Sequence, residues 1–151
     1  MTIQSKAYGS VEIDERQRIL FPFGILGFEN LKVYALLDAA QQPFYWLQSL
    51  DVREIAFVLI SPTIFRPDYE VKVFEDELAE IGLESVEDEN ALIFAIVTIP
   101  ENQSKMTANL QGPIIINKET KQGRQLINSD PRWKTKHLIL EELGAERTRA
   151  C

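Results

Sequence analysis

Met106-Thr107-Ala108-Asn109-Leu110-Gln111-Gly112-Pro113-Ile114-Ile115-Ile116-Asn117 is the stretch whose reading decides the fold. It reads as a polar turn, a proline, three β-branched residues and an asparagine stop. Gly112-Pro113 cannot continue a helix, because the proline ring removes a donor and clashes with the preceding turn. The three isoleucines form a strand-forming run. Nothing in the stretch is a nucleophile, a metal ligand or a phosphate loop. It predicts a loop feeding a buried strand, so function has to come from elsewhere in the chain.

Outward from this stretch the same pattern recurs. Residues 3–8 and 11–13 predict a hairpin, with Gly9-Ser10 as a two-residue turn. Further strands are predicted at 18–21, 33–37, 44–50, 55–60, 69–74, 91–99, 114–116 and 124–128. Within 44–50, Tyr45, Leu47 and Ser49 point one way and Phe44, Trp46, Gln48 and Leu50 the other. Helix signals are few. Residues 75–82 carry acids in their first turn, Leu78 and Ile81 three apart, and a glycine stop; 138–143 before Gly144 is a second short candidate. Many short strands and hardly any βαβ spacing predict an all-β fold, a small antiparallel β-barrel-like single domain with one or two short helices. The domain is expected to occupy 1–140, with 141–151 as a loose tail.

A chain of 151 residues with 45% apolar content suits one domain with a real core. Its longest apolar runs, 55–60 and 91–97, fall far short of the roughly 20 residues of a membrane helix. The first residues lack the apolar core of a signal peptide. The single cysteine, Cys151, excludes an internal disulfide. A cytoplasmic chain with no membrane contact is expected. Net charge is −7, unevenly spread: residues 73–104 hold nine carboxylates and no Lys or Arg. Such a window repels phosphate backbones and attracts basic partners; the simpler reading is a solubilising face.

Catalytic chemistry is sparse. The one histidine, His137, excludes histidine-cluster metal sites, and its neighbours Lys134 and Lys136 suggest that it is exposed. Glu75-Asp76-Glu77 and Glu87-Asp88-Glu89 are runs of acids in polar surroundings, whereas catalytic carboxylates need apolar pockets that split their pKa values. Asp68 beside Tyr69 reads as a turn residue. Gly24-Ile25-Leu26-Gly27 lacks the Gly-Lys-Ser/Thr of a phosphate loop and reads as a chain reversal. Around it, Phe21, Phe23, Ile25, Leu26 and Phe28 form either a core plug or an exposed apolar patch. Arg132, Trp133, Lys134 and Lys136 make a small basic patch that a sequence pI near 4.8 opposes as a nucleic-acid site. The residues therefore predict no enzyme, no cofactor, no metal and no direct nucleic-acid binding.

Several segments together carry a resemblance. They are Phe21-Pro22-Phe23-Gly24-Ile25-Leu26-Gly27-Phe28-Glu29, Phe44-Tyr45-Trp46-Leu47-Gln48-Ser49, Ala56-Phe57-Val58, Pro62, Tyr69, and Thr107-Ala108-Asn109-Leu110-Gln111-Gly112-Pro113-Ile114 with Asn117. In this order and at this chain length they resemble the FliW family of flagellar assembly factors over about residues 3–128. The family pattern more often has Ala before its Pro, where this chain has Gly112. The resemblance implies a β-barrel-like domain that binds newly made flagellin and CsrA, a small RNA-binding translational repressor, in competition. Flagellin occupying the protein would free CsrA to repress; export of flagellin would return the protein to CsrA and relieve repression. Glu75, Asp76, Glu77, Glu80, Glu84, Glu87, Asp88 and Glu89 are the candidate repressor-facing residues, and Phe23 and Phe28 the candidates for flagellin. The alternative is a small-molecule or carbohydrate-binding β-barrel protein, which a deep apolar pocket with convergent polar groups would favour.

Overall fold

The structure is a computed structural model that describes residues 1–150, with side chains described through Ala145. Seven strands close into a barrel. They are β3 (Arg18–Leu20), β4 (Val33–Asp38), β5 (Tyr45–Ser49), β6 (Ala56–Ile60), β7 (Ala91–Thr98), β8 (Thr107–Asn117) and β9 (Gln122–Gln125). The order runs β8-β7-β6-β5-β4-β3-β9, and β9 pairs back onto β8. Neighbours are antiparallel except β3 and β9, which run parallel at Leu20 and Gln122. A hairpin of β1 (Thr2–Ser5) and β2 (Gly9–Glu12) stands apart as a two-stranded sheet, and β10 (His137–Leu138) adds to the first residues of β8. Two helices complete the chain, α1 (Glu75–Ala79) and α2 (Ile139–Ala150).

The barrel interior is filled by alternate residues of its strands. Ile19, Phe21, Tyr34, Leu47, Leu59, Phe94, Ile114 and Ile116 are buried there in one cluster. Edge-to-face ring pairs, Phe21 on Tyr34 at 5.2 Å and Tyr45 on Phe94 at 5.3 Å, fill its volume. The outer face is covered in three places, which is why so many strands read as apolar on both sides. The β1–β2 hairpin sets Ile3 and Ile13 on Ala35 and Leu37. Phe65, Trp133 and Ile139 cover Ala95, Val97 and Ala108. Leu78, Ile81 and Leu83 cover Ile115 and Leu126.

The deciding stretch is one strand of 11 residues, not a turn followed by a strand. Its register against β7 jumps between the pairs Ile96–Asn109 and Phe94–Ile114, so residues 110–113 bulge. At this bulge β8 changes neighbours. Its first residues pair with β10 and its last with β9. Pro113 fits because a bulge residue has no ladder bond to donate. The bulge is held by Asn109, whose Oδ1 accepts from the N–H groups of Gln111 (3.0 Å) and Gly112 (2.9 Å). A Cβ at Gly112 would lie 2.9 Å from Nε2 of Gln125, so alanine there requires Gln125 to shift. Asn117 stops the strand as expected: its Oδ1 accepts from the N–H groups of Glu119 and Thr120.

Other expectations are corrected. The first hairpin turns at residues 6–8, not at Gly9-Ser10, because Ser5 pairs with Gly9 and Gly9 takes the left-handed φ of 67° that a three-residue loop ends on. Residues 69–74 alternate between half-buried and exposed but pair with no strand. Buried Asn128 substitutes for a ladder: its Oδ1 accepts from the Lys72 N–H (3.1 Å), and its Nδ2 donates to the Glu70 carbonyl (2.8 Å). The helix expected at 75–82 is shorter, five residues. The second helix begins one residue later than 138 and runs through Gly144, so the expected loose tail begins inside it; Cys151 lies outside the described residues. His137 is buried, not exposed. Its Nε2 accepts from the Lys134 N–H (2.8 Å), which leaves Nδ1 to donate to Glu142 at 3.0 Å. Trp133 is also buried, with the guanidinium groups of Arg66 and Arg132 over its ring at 4.7 and 4.9 Å, and so offers no base-stacking surface.

Candidate functional site

The acidic window forms α1 and the loop that leads into β7. Leu78, Ile81 and Leu83 point inward and anchor it on Ile115 and Leu126. Asn117 ties the loop to the end of β8, its Nδ2 donating to the Ile81 carbonyl at 2.9 Å. With the apolar positions committed to the core, the acids face out. Glu75, Asp76, Glu80, Glu84, Glu87 and Glu89 are exposed, while Glu77 and Asp88 are half-buried. Asp88 is partly a turn residue, since its Oδ1 accepts from the Asn90 N–H at 2.9 Å.

The eight carboxylates are not equivalent. Arg124, on β9, reaches across to α1 and pairs with Glu77 at 3.3 Å and with Glu80. Glu77 and Glu80 are thus partly neutralised. The remaining acids carry the field.

The structure brings Phe23 to this acidic face and leaves Phe28 away from it. Phe23 is exposed, and the Arg124 guanidinium lies 4.2 Å from its ring centroid. Gly24 (φ 68°) and Gly27 (φ 88°) reverse the chain after Phe23, and the Leu26 N–H is held by Oε1 of Gln125 at 3.0 Å. Phe28 packs instead edge-on against Phe57 at 5.3 Å, on the barrel wall. The apolar loop therefore splits. Phe21 and Ile25 belong to the core, and Phe23 and Leu26 to the surface.

Sequence reasoning missed Phe74 and Ile127, and left Leu26 as either core or exposed patch. Leu26 (60% exposed), Phe74 (74%) and Ile127 (56%) extend the exposed apolar strip begun by Phe23 (49%). A groove of about 220 Å³ holds Phe23, Leu26, Arg124 and Ile127; a second, about 450 Å³, holds Ile127, Phe74 and Leu78. Ile127 is common to both, so the strip is continuous beside α1. Phe74 carried a signal, being an aromatic directly before an acidic helix start; Ile127 carried none.

The arrangement can bind a protein surface. Exposed apolar side chains rimmed by charge mark contact sites. The barrel interior is packed with side chains. Among the described residues no group of three or more His, Cys, Asp or Glu side chains is placed to hold a metal ion. Among those residues, too, no helix is long and apolar enough to cross a membrane.

The model of the FliW protein family matches residues 2–139. This chain belongs to the FliW family. Relatives agree over nearly full length. The flagellar assembly factor FliW of Treponema denticola is 50% identical over 145 residues, covering 96% of this chain and 97% of that protein. That of Treponema pallidum is 42% identical and covers 97% of each. A crystal structure of the flagellar assembly factor FliW superimposes with a TM-score of 0.82 at 33% identity, covering 92% of this chain and 96% of the other. The FliW match ends at the first residue of α2, so that helix lies almost wholly beyond it.

Proposed function

We propose that this FliW-family chain acts in the cytoplasm as a flagellar assembly factor by binding two proteins in competition, flagellin and the RNA-binding translational repressor CsrA. Flagellin bound to it leaves CsrA free to repress flagellin translation; once flagellin is exported, the chain takes up CsrA and relieves repression. It works as a chaperone and regulator through binding rather than turnover. The observation that carries the reading is the face where uncompensated carboxylates of the acidic window adjoin the exposed strip of Phe23, Leu26, Phe74 and Ile127. A basic RNA-binding protein complements the acids and is steered by them. The apolar strip suits the contact surface of an unassembled filament subunit.

The test is direct. Purified flagellin and CsrA are titrated separately into the protein by calorimetry, and each is then used to displace the other. Binding of both with mutual displacement is expected. Binding of neither, or simultaneous binding without mutual weakening, would refute the competition.

A further inference from the structure

The barrel wall has an opening. Strand β6 stops at Ile60, where Pro62 begins a turn, and its ladder with β7 ends at the pair Ile60–Ala95. Residues Ala91 to Phe94 of β7 therefore pair on one side only, with β8. The Lys118 N–H donates to the Asn90 carbonyl, so residues 90, 92 and 94 direct their backbone groups at β8. By alternation Ala91 and Ile93 direct theirs outward, and among the described residues Ile93 has no backbone partner there.

Facing this edge is the segment 69–73, which carries a strand-like alternation yet pairs with no strand. Both backbone groups of Lys72 are engaged on the side of Asn128 and Ser129: its N–H by Asn128 Oδ1, its carbonyl by the Ser129 N–H. Val71 must turn its N–H and carbonyl the opposite way. A groove of about 810 Å³ runs between the two, lined among others by Tyr69, Val71, Ile93 and Phe94, with Glu70 and Glu87 at its sides. Lys72 also lines it, its ammonium drawn toward Asp130 at 3.7 Å. Two one-sided backbone edges thus border one apolar groove.

We propose that this groove is a slot for one extended segment of a partner protein, which adds as a strand to the Ile93 edge of β7 and meets Val71 on its other side. The occupant has alternating apolar side chains, which the valine, isoleucine and aromatic lining accepts, and flanking Lys or Arg, which Glu70, Glu87 and the rest of the acidic window attract. The inference rests on the reading that this chain works by binding proteins, and it names the chemistry of one such contact. An unpaired strand edge is a template for pairing.

The test is residue-resolved hydrogen exchange on the intact protein with three probes: flagellin, CsrA and the capped peptide Lys-Val-Lys-Val-Lys-Val-Lys. A copy of the peptide with its central Val replaced by Pro serves as control. At least one probe should slow exchange of the Ile93 and Val71 amides about tenfold or more, and the proline copy should not. Val71→Pro, which removes the groove-facing donor, should weaken that probe about tenfold with the circular dichroism unchanged. Should that variant not fold, Glu70→Lys with Glu87→Lys must weaken it instead, most at low salt. Flagellin or CsrA bound with both amides unprotected, and no protection by the peptide, overturns the slot while leaving the proposed function intact. Failure of flagellin and CsrA to bind at all overturns the proposed function, and the peptide then judges the slot alone. Equal protection by the proline copy, or protection that grows with protein concentration without any probe, also overturns it; the latter assigns the edge to a second copy of this chain.

Discussion

The guanidinium of Arg124 lies 4.2 Å from the ring centroid of exposed Phe23 while the same group pairs with Glu77 on α1. One side chain thus joins the two surface features of the molecule, the acidic helix and the apolar loop, and sets how much negative charge the helix shows. Arg124→Gln should cost about 1 kcal/mol in urea denaturation. It should also raise the association rate with CsrA, the proposed partner, about twofold to threefold at low salt, because Glu77 and Glu80 lose their counter-charge. Stopped-flow rates that do not change, or that change equally at high salt, would show that this charge plays no part in encounter.

The acids without an ion-pair partner among the described residues offer the complementary experiment. The triple variant Glu84→Lys, Glu87→Lys, Glu89→Lys changes exposed positions and should leave thermal stability within about 1 kcal/mol. CsrA association at low salt should fall about tenfold or more, with the gap closing as salt rises. A salt-independent loss would point to contact rather than steering.

Asn128 invites a stability test because one buried amide replaces a strand ladder. Asn128→Ala leaves the Lys72 N–H and the Glu70 carbonyl without their partner and removes the Nδ2 contact with the Tyr69 hydroxyl. A loss of about 2–3 kcal/mol in urea denaturation is expected, with faster amide exchange at Lys72. Unchanged exchange there would mean that residues 69–74 are held by their side chains instead.

Acid should release the segment around Trp133. The Arg132 guanidinium, its backbone N–H and the Lys72 ammonium hold the Asp130 carboxyl at about 2, below its ordinary 3.8. A depressed carboxylate contributes stability that is complete above the unfolded value and is lost as pH falls through the folded one. Stability should therefore decline between about pH 4 and pH 2, and Asp130→Asn should flatten that part of the curve. Urea midpoints measured across this range check the slope; parallel curves for the two proteins would exclude Asp130 as a contributor.

The two glycines of the apolar loop should differ. At Gly27 a Cβ would meet open space, so Gly27→Ala carries only the strain of φ 88°, about 1–2 kcal/mol. At Gly24 a Cβ would lie 2.5 Å from the Glu29 backbone as well, so Gly24→Ala should cost clearly more and displace Phe23. Equal melting temperatures for the two variants would show that the loop relaxes freely.

The barrel's strands were legible in the sequence because inside–outside alternation is a local property with a period of two. Residues 44–50 show it well: Tyr45 and Leu47 face the barrel interior while Trp46 faces the hairpin, as their alternation predicts. The acidic window was equally legible, since charge is read residue by residue. What strands pair with was not legible. Residues 69–74 alternate as well as any strand, but the segment that neighbours them is 128–129, which bonds through the Asn128 side chain and one backbone N–H, that of Ser129. His137 sits in a basic stretch yet is buried, because β10 docks it against Trp133 and Glu142.

The sequence alone determined which segments are extended, that the chain closes a small β-rich domain, and that its acids lie together. Tertiary structure decided where β8 changes neighbours at Gly112-Pro113, which acids Arg124 neutralises, and which of the loop's aromatic residues reaches the surface. The physical reason is separation along the chain. Alternation and charge runs are set within a few residues, whereas Arg124 meets Glu80 across 44 positions and Leu26 meets Gln125 across 99, and only the closed barrel brings such pairs together.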